Sequence, residues 1–135
     1  MASDAAVPAT FRAVIDAHAA SQPAAPFLFA PEPDLAIDYA TLRRNCIAFA
    51  ALLAERGLPP GATVSFMVEN GLSAATIFLG AMYGGHVVSP INLHAQDRQL
   101  EYTLAHSDTR LVFATVGNRE RLERIRASGG AAFAS

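Results

Sequence analysis

Three short polar clusters mark where this chain could meet a ligand: Glu69-Asn70-Gly71, Asn92-Leu93-His94 and Gly117-Asn118. Each lies at or just beyond the end of an apolar run that reads as a strand, and in open parallel sheets ligands bind outside the carboxyl ends of the strands. Asn70, Asn92, His94 and Asn118 are therefore the candidate ligand-binding residues. The same residue types cap helices and form turns, which accounts for them without any ligand.

Other constellations are weaker. His86, His94 and His106 are spaced eight and twelve residues apart, which matches no helical metal pair such as i, i+4. Ser89 and Asp97 could complete a triad with a histidine, but no nucleophile elbow of the GxSxG type is present. Gly80, Gly84 and Gly85 stand in the wrong order for a phosphate loop. Such a loop follows a strand and opens a helix, whereas these glycines end a helix and precede a strand, as a tight turn does. Cys46, the single cysteine, sits on the apolar stripe of a helix and reads as an inert buried thiol. It excludes an internal disulfide framework and a cysteine-based zinc site. All ten basic residues are Arg, so no Schiff base, phosphate-loop Lys or Lys base can come from this chain. Arg usage of this kind, beside abundant Ala, is what GC-rich coding produces. No catalytic residue, cofactor ligand or metal ligand is assigned.

The elements that position these clusters follow from periodicity. Phe11, Val14, Ile15 and His18 fall on one face of a helix over 10–21 that Thr10 can cap, with His18 packed among apolar neighbours. Pro23 and Pro26 end it. Residues 27–30 and 35–39 read as two short strands joined by PEPD, a β-hairpin. Asp38 or Thr41 can cap the next helix, whose stripe is Leu42, Cys46, Phe49 and Leu53 and whose end is Gly57. TVSFMV (63–68) is a continuous apolar strand of the kind buried on both faces in parallel sheets. Asn70 is a plausible cap for a helix over 72–83 that is apolar nearly all round, and such a helix should be buried. Gly84-Gly85 closes it, a strand over 86–89 follows and Pro90 ends that strand. A more polar helix over 96–106 is buried through Leu100 and Leu104. A strand over 110–115 precedes a last helix capped by Asn118, with Leu122 and Ile125 inward.

The fold expected is α/β: a parallel sheet layer with flanking helices, β-α-β-α-β-α from residue 63, preceded by a helix and a short hairpin. The expected divisions are a leader at 1–9, one folded portion at 10–127 and a tail at 128–135. With 52% hydrophobic residues, 16% charged residues and a net charge of −2, the 135 residues can bury a core and carry no electrostatic footprint for nucleic acid. No secretory signal or membrane span is read from the sequence, and the expected location is the cytoplasm.

Three segments together resemble the N-terminal part of the adenylate-forming, AMP-binding superfamily: acyl-CoA synthetases, related ligases and the adenylation domains of peptide synthetases. IDYATLRRNCIAFAALLAERGLPPGATVSFMVEN is similar to the family's strand, Tyr-containing helix start and G-x-x-x-G-D-x-V strand entry. ATIFLGAMYGGHVVSPIN resembles its G-A-x-x-x-G-x-x-x-x-P-x-N core motif, and LEYTLAHSDTRLVFA the helix and strand that follow. The likeness runs from about Thr10 to Arg126. Ala62 and Thr63 depart from it where an acidic residue is usual. Thr41 replaces a common Glu, and His86 an apolar residue.

The resemblance implies a partial adenylate-forming N-terminal domain. The parent protein would activate a carboxylic acid, fatty or other, with ATP and Mg²⁺ through an acyl-adenylate to a CoA thioester. Family members are several times longer. Their phosphate loop ending in Lys, their adenine and ribose motifs and their catalytic Lys lie beyond the matched part, so none of those roles is carried onto this chain. The expected partners are the remaining segments of the synthetase, with self-association of the isolated chain through an exposed sheet edge. Two alternatives stay open: a standalone, non-catalytic binding or interaction module on the same scaffold, and the start of an amino-acid adenylation domain.

Overall fold

The computed structural model describes residues 8–30, 34–129 and 132–134. Helix α1 (Phe11–Ser21) is followed by β1 (Pro26–Ala30), β2 (Leu35–Asp38) and α2 (Tyr39–Glu55). Then come β3 (Thr63–Met67), α3 (Leu72–Tyr83), β4 (Val87–Pro90), α4 (Asp97–His106), β5 (Thr109–Ala114) and α5 (Val116–Ala127). Strands β1 and β2 pair antiparallel as the expected hairpin, although most of its PEPD turn lies outside the described residues. Strands β3, β4 and β5 form a parallel sheet in the order β4-β3-β5.

The central strand explains the layering. Every residue of β3 is buried, and its side chains alternate between two cores. Val64 and Phe66 join Phe49 and Leu53 of α2, Ala74, Ile77 and Ala81 of α3 and Leu111 of β5. Met67 points the other way, to Leu100 and Leu104 of α4, Val112 of β5 and Leu122 and Ile125 of α5. Ser65 also lies within the sheet, and its hydroxyl shares a 2.6 Å hydrogen bond with that of Thr109. A third cluster gathers Ile15, Ile37, Leu42, Cys46 and Tyr83, seating α1 and the hairpin on α2 and α3. The predicted α2 stripe of Leu42, Cys46, Phe49 and Leu53 is buried in full. Burial pushes the Cys46 thiol up to about 11, consistent with an inert buried sulfhydryl.

Two glycines of α3 are required by their surroundings. A Cβ on Gly80 would lie 2.8 Å from Cβ of Phe49, so α2 and α3 approach as closely as they do only because position 80 has no side chain. Gly85 takes φ +82° after the helix. Its N–H donates to the Met82 carbonyl (3.1 Å), and the His86 N–H donates to that of Ala81 (3.0 Å). That pair of bonds is the Schellman closure of a helix end. It turns the chain directly into β4, as the sequence predicts.

Several boundaries differ from expectation. Asn70 does not cap α3; Gly71 occupies the cap and offers no side chain. Asn118 does not cap α5 either. Thr115 holds that position, and Asn118 lies in the first turn with its side-chain N–H donating to Thr115 Oγ1 at 3.1 Å. His18 is half-buried, stacked on Tyr39 at 4.9 Å and hydrogen-bonded to Gln22. Helix α3 is not covered on all sides: Phe78 is exposed, because α1, α2 and the sheet pack on part of its circumference only. Of the segment 128–135, Phe133 is buried in the α4/α5 core, and Ala134 bridges to Leu111 of β5. Among the described residues no helix is long and apolar enough to cross a membrane.

Candidate functional site

The carboxyl ends of β3 and β4 open side by side onto a cavity of about 920 Å³. Its walls come from four elements: Phe27 and Leu28 of β1, Phe66 and the following Val68, Ala74, Ala75, Phe78 and Leu79 of α3, and Pro90, Ile91 and Leu93 at and after the end of β4. Phe66 and Phe78 meet edge to face with ring centroids 6.4 Å apart. The rim carries Glu69, Asn70, Gly71, Asn92 and His94. Strand β3 has to deliver its end here because α3 must start over the sheet, and β4 delivers its end because it runs parallel to β3.

The structure thus brings Asn70, Asn92 and His94 to one mouth and leaves Asn118 elsewhere. Asn118 lies beyond the end of β5 and does not line this cavity. A second hollow of about 300 Å³ near it is bounded by Val112, Ala114, Thr115, Val116, Arg119 and Leu122. The Asn92 side chain is already engaged: its Oδ1 accepts from the His94 N–H at 2.9 Å, and its backbone carbonyl accepts from the Ala95 N–H at 3.1 Å. That is turn chemistry, and both side chains remain exposed at the rim. The other histidines are dispersed. His86 precedes β4 at the opposite end of that strand and buries an Nδ1 that has no hydrogen-bond partner among the described residues. His106, at the end of α4, stacks on Tyr102 at 3.9 Å.

Among the described residues Glu69 is the only formally charged one in the cavity lining, and no Arg lines it. A triphosphate is stabilised by cations and converging N–H groups, so these residues do not fit ATP or its Mg²⁺. What the cavity can do is take up apolar surface beneath a polar rim that carries one carboxylate, Glu69.

One polar cluster escaped sequence reasoning. The Tyr83 hydroxyl donates to Asp16 Oδ1 at 2.7 Å, and Arg43 Nε donates to the same oxygen at 2.8 Å. The Arg12 guanidinium lies 4.9 Å from the centre of the Tyr83 ring. The Tyr83 hydrogen bond holds the Asp16 carboxyl below the ordinary carboxylate range; partial burial opposes this and Arg43 reinforces it. Tyr83 is pushed up, first by burial and then by Asp16. The cluster ties α1, α2 and α3 together away from the cavity. Its members come from three separate helices, and no local spacing connects them.

Comparison with known proteins agrees with this geometry. A family described as AMP-binding enzyme matches residues 15–132. The chain is 43% identical over 104 residues to a sulfoacetate–CoA ligase of Cupriavidus necator, a match covering 77% of this chain and 20% of that protein. It is 33% identical over 122 residues to the AMB antimetabolite synthetase AmbE of Pseudomonas aeruginosa, covering 90% of this chain and 5% of the other. The fold superposes on a Mycobacterium tuberculosis fatty acyl CoA synthetase with a TM-score of 0.81 at 21% identity, over 93% of this chain and 26% of that one. The chain therefore spans about a fifth of the ligase it resembles in sequence. The parallel β3–β5 layer, the tight α3–β4 turn and a match across most of the residues place this chain in the AMP-binding enzyme family.

Proposed function

We propose that this chain forms the N-terminal portion of an AMP-forming acyl-CoA synthetase, which joins a carboxylic acid, fatty or other, to CoA at the expense of ATP. The observation that carries the reading is the 43% identity over 104 residues to a CoA ligase. In this reading the described residues supply scaffold. ATP, Mg²⁺ and CoA are bound by other segments of the protein, since the cavity at the strand ends lacks the cations that phosphates require. Asn70, Asn92 and His94 border the surface on which those segments or a ligand would sit, and Asn118 borders the neighbouring end of β5. The whole protein works in the cytoplasm.

A chimera tests this. The matched residues of this chain replace their counterpart in the C. necator sulfoacetate–CoA ligase, and thioester formation is measured. The chimera is expected to keep at least about a tenth of the parent rate, a loss of about 1.4 kcal/mol in transition-state stabilisation. A folded chimera that forms no adenylate would overturn the ligase reading and favour the non-catalytic module. The AmbE match supports a second reading, an adenylation domain that loads an amino acid onto a carrier protein. An in-frame carrier domain downstream in the gene would favour it.

A further inference from the structure

Cys46 is the one cysteine of the chain, and it is fully buried. It lies in the third cluster with Ile15 of α1, Ile37 of β2, Leu42 of α2 and Tyr83 of α3. Helix α1 closes one side of that cluster and is weakly held. Of the five helices it buries the fewest residues, Ile15 alone, where α2 buries four and α3 five. The rest of its attachment to α2 and α3 is polar. Asp16 Oδ1 accepts from the Tyr83 hydroxyl and from Arg43 Nε, and Arg12 Nε stands 4.0 Å from the other carboxylate oxygen. The Asp16 and Arg43 side chains are 38% and 46% exposed, so water can replace these bonds without the core opening. Just after α1 the chain is fastened through its backbone. The Ala40 N–H donates to the Pro23 carbonyl (3.0 Å), and the Tyr39 N–H donates to that of Ala25 (3.2 Å). A helix fixed at its C-terminal end, and held at its middle by one buried side chain and one carboxylate, can swing about Gln22 while α2 and α3 stay packed.

We propose that α1 is a hinged strap, clasped by Asp16 to Tyr83 and Arg43, whose release uncovers the Cys46 thiol while the parallel sheet and the other four helices stay folded. The proposal goes beyond the ligase reading and does not depend on it. With the strap closed the thiol is inert: burial, and after it the charge of Asp16, hold it up at about 11. The thiolate is the reactive form. At pH 8 the covered thiol is therefore almost wholly protonated, and reaction runs through the open state. The clasp, not the thiol, is the controlling part. Its three members stand on three helices, so breaking it frees α1 and leaves the contacts between α2 and α3 in place.

Labelling of Cys46 with Ellman's reagent at pH 8, read beside hydrogen exchange, tests the proposal. In the 135-residue chain the thiol is expected to react at least tenfold more slowly than a cysteine peptide. Exchange over Phe11–Ser21 is expected to be at least tenfold faster than over Thr63–Met67. Below the unfolding transition, about 1 M urea should change the labelling rate less than threefold, because releasing one helix exposes little surface, whereas global unfolding would change it about tenfold or more. Asp16→Ala is expected to speed labelling at least fivefold with the same shallow urea dependence. Arg126→Ala, which breaks a comparably exposed ion pair on α5, should change it less than twofold. If Asp16→Ala does not fold, Tyr83→Phe decides. It keeps the ring, removes one clasp bond and should speed labelling at least threefold. Labelling at the peptide rate in the unaltered chain would overturn the proposal, since α1 would then cover nothing. A urea dependence equal to that of global unfolding would overturn it too. So would clasp variants that label no faster than Arg126→Ala.

Discussion

Asp16 is the residue at which three helices meet, accepting from Tyr83 of α3 and Arg43 of α2 while standing on α1. Its carboxyl is held below the ordinary value, so its contribution to stability has a definite pH sense. The contribution is complete above the unfolded-state value, about 3.9, and is lost as pH falls through the lower folded-state value. Tyr83→Phe removes the hydroxyl and leaves the ring in the core. At pH 7 this should cost about 1 kcal/mol, the usual worth of one such hydrogen bond. As pH falls through the lowered folded-state value the penalty should shrink, because Asp16 protonates in both proteins. Urea midpoints at pH 7 and pH 2.5 measure the difference. An equal penalty at both pH values would mean that the hydroxyl acts through packing alone.

At the scale of elements, the α2–α3 contact and the α3–β4 turn govern whether the strand ends arrive at one mouth. Gly80 permits the first and Gly85 the second, for different reasons. An alanine at 80 would improve helix propensity by about 1 kcal/mol. Its Cβ would nevertheless meet the near end of Phe49, which cannot swing away. Overpacking of this kind costs about 1–3 kcal/mol, so Gly80→Ala should be destabilising or at best neutral. Around Gly85 there is open space, and the cost of Gly85→Val is conformational, about 1–3 kcal/mol for a strained backbone. Gly117, on α5 with open space around it, is the control. The urea midpoint should fall clearly for Gly85→Val and hardly for Gly117→Val. Matching midpoints would refute the tight-turn account of this stretch.

For the molecule as a whole, the expected chemistry of the isolated chain is nil. Activating a carboxylate requires groups that bind a triphosphate and stabilise the charge developing on it. The chain has no Lys, and the cavity at its strand ends is lined, among the described residues, by one carboxylate and no Arg. ATP–pyrophosphate exchange by the 135-residue chain with fatty, aryl and amino acids should therefore remain at background. Substrate-dependent exchange from protein free of host synthetases would show that the chain holds an adenylation site of its own.

The order of elements, the α2 stripe, the buried thiol and the turn at Gly84-Gly85 were all legible from residue types, because each is set by periodicity or by one local backbone requirement. The family was legible for the same reason, since its motifs are short turns and apolar runs at fixed spacing. Caps were legible only in part. Asp38 accepts from the Thr41 N–H as expected, but Gly71 and Thr115 took the places assigned to Asn70 and Asn118. An Asn near a helix start fits several registers equally well, and packing of the following helix chooses among them. Tertiary structure alone decided that Asn70, Asn92 and His94 share one mouth while Asn118 does not. That depends on the strand order β4-β3-β5, which sets β3 and β4 beside each other under α3. It also decided that a helix apolar nearly all round would keep a bare face, because coverage depends on what packs there and not on the residues of the helix itself.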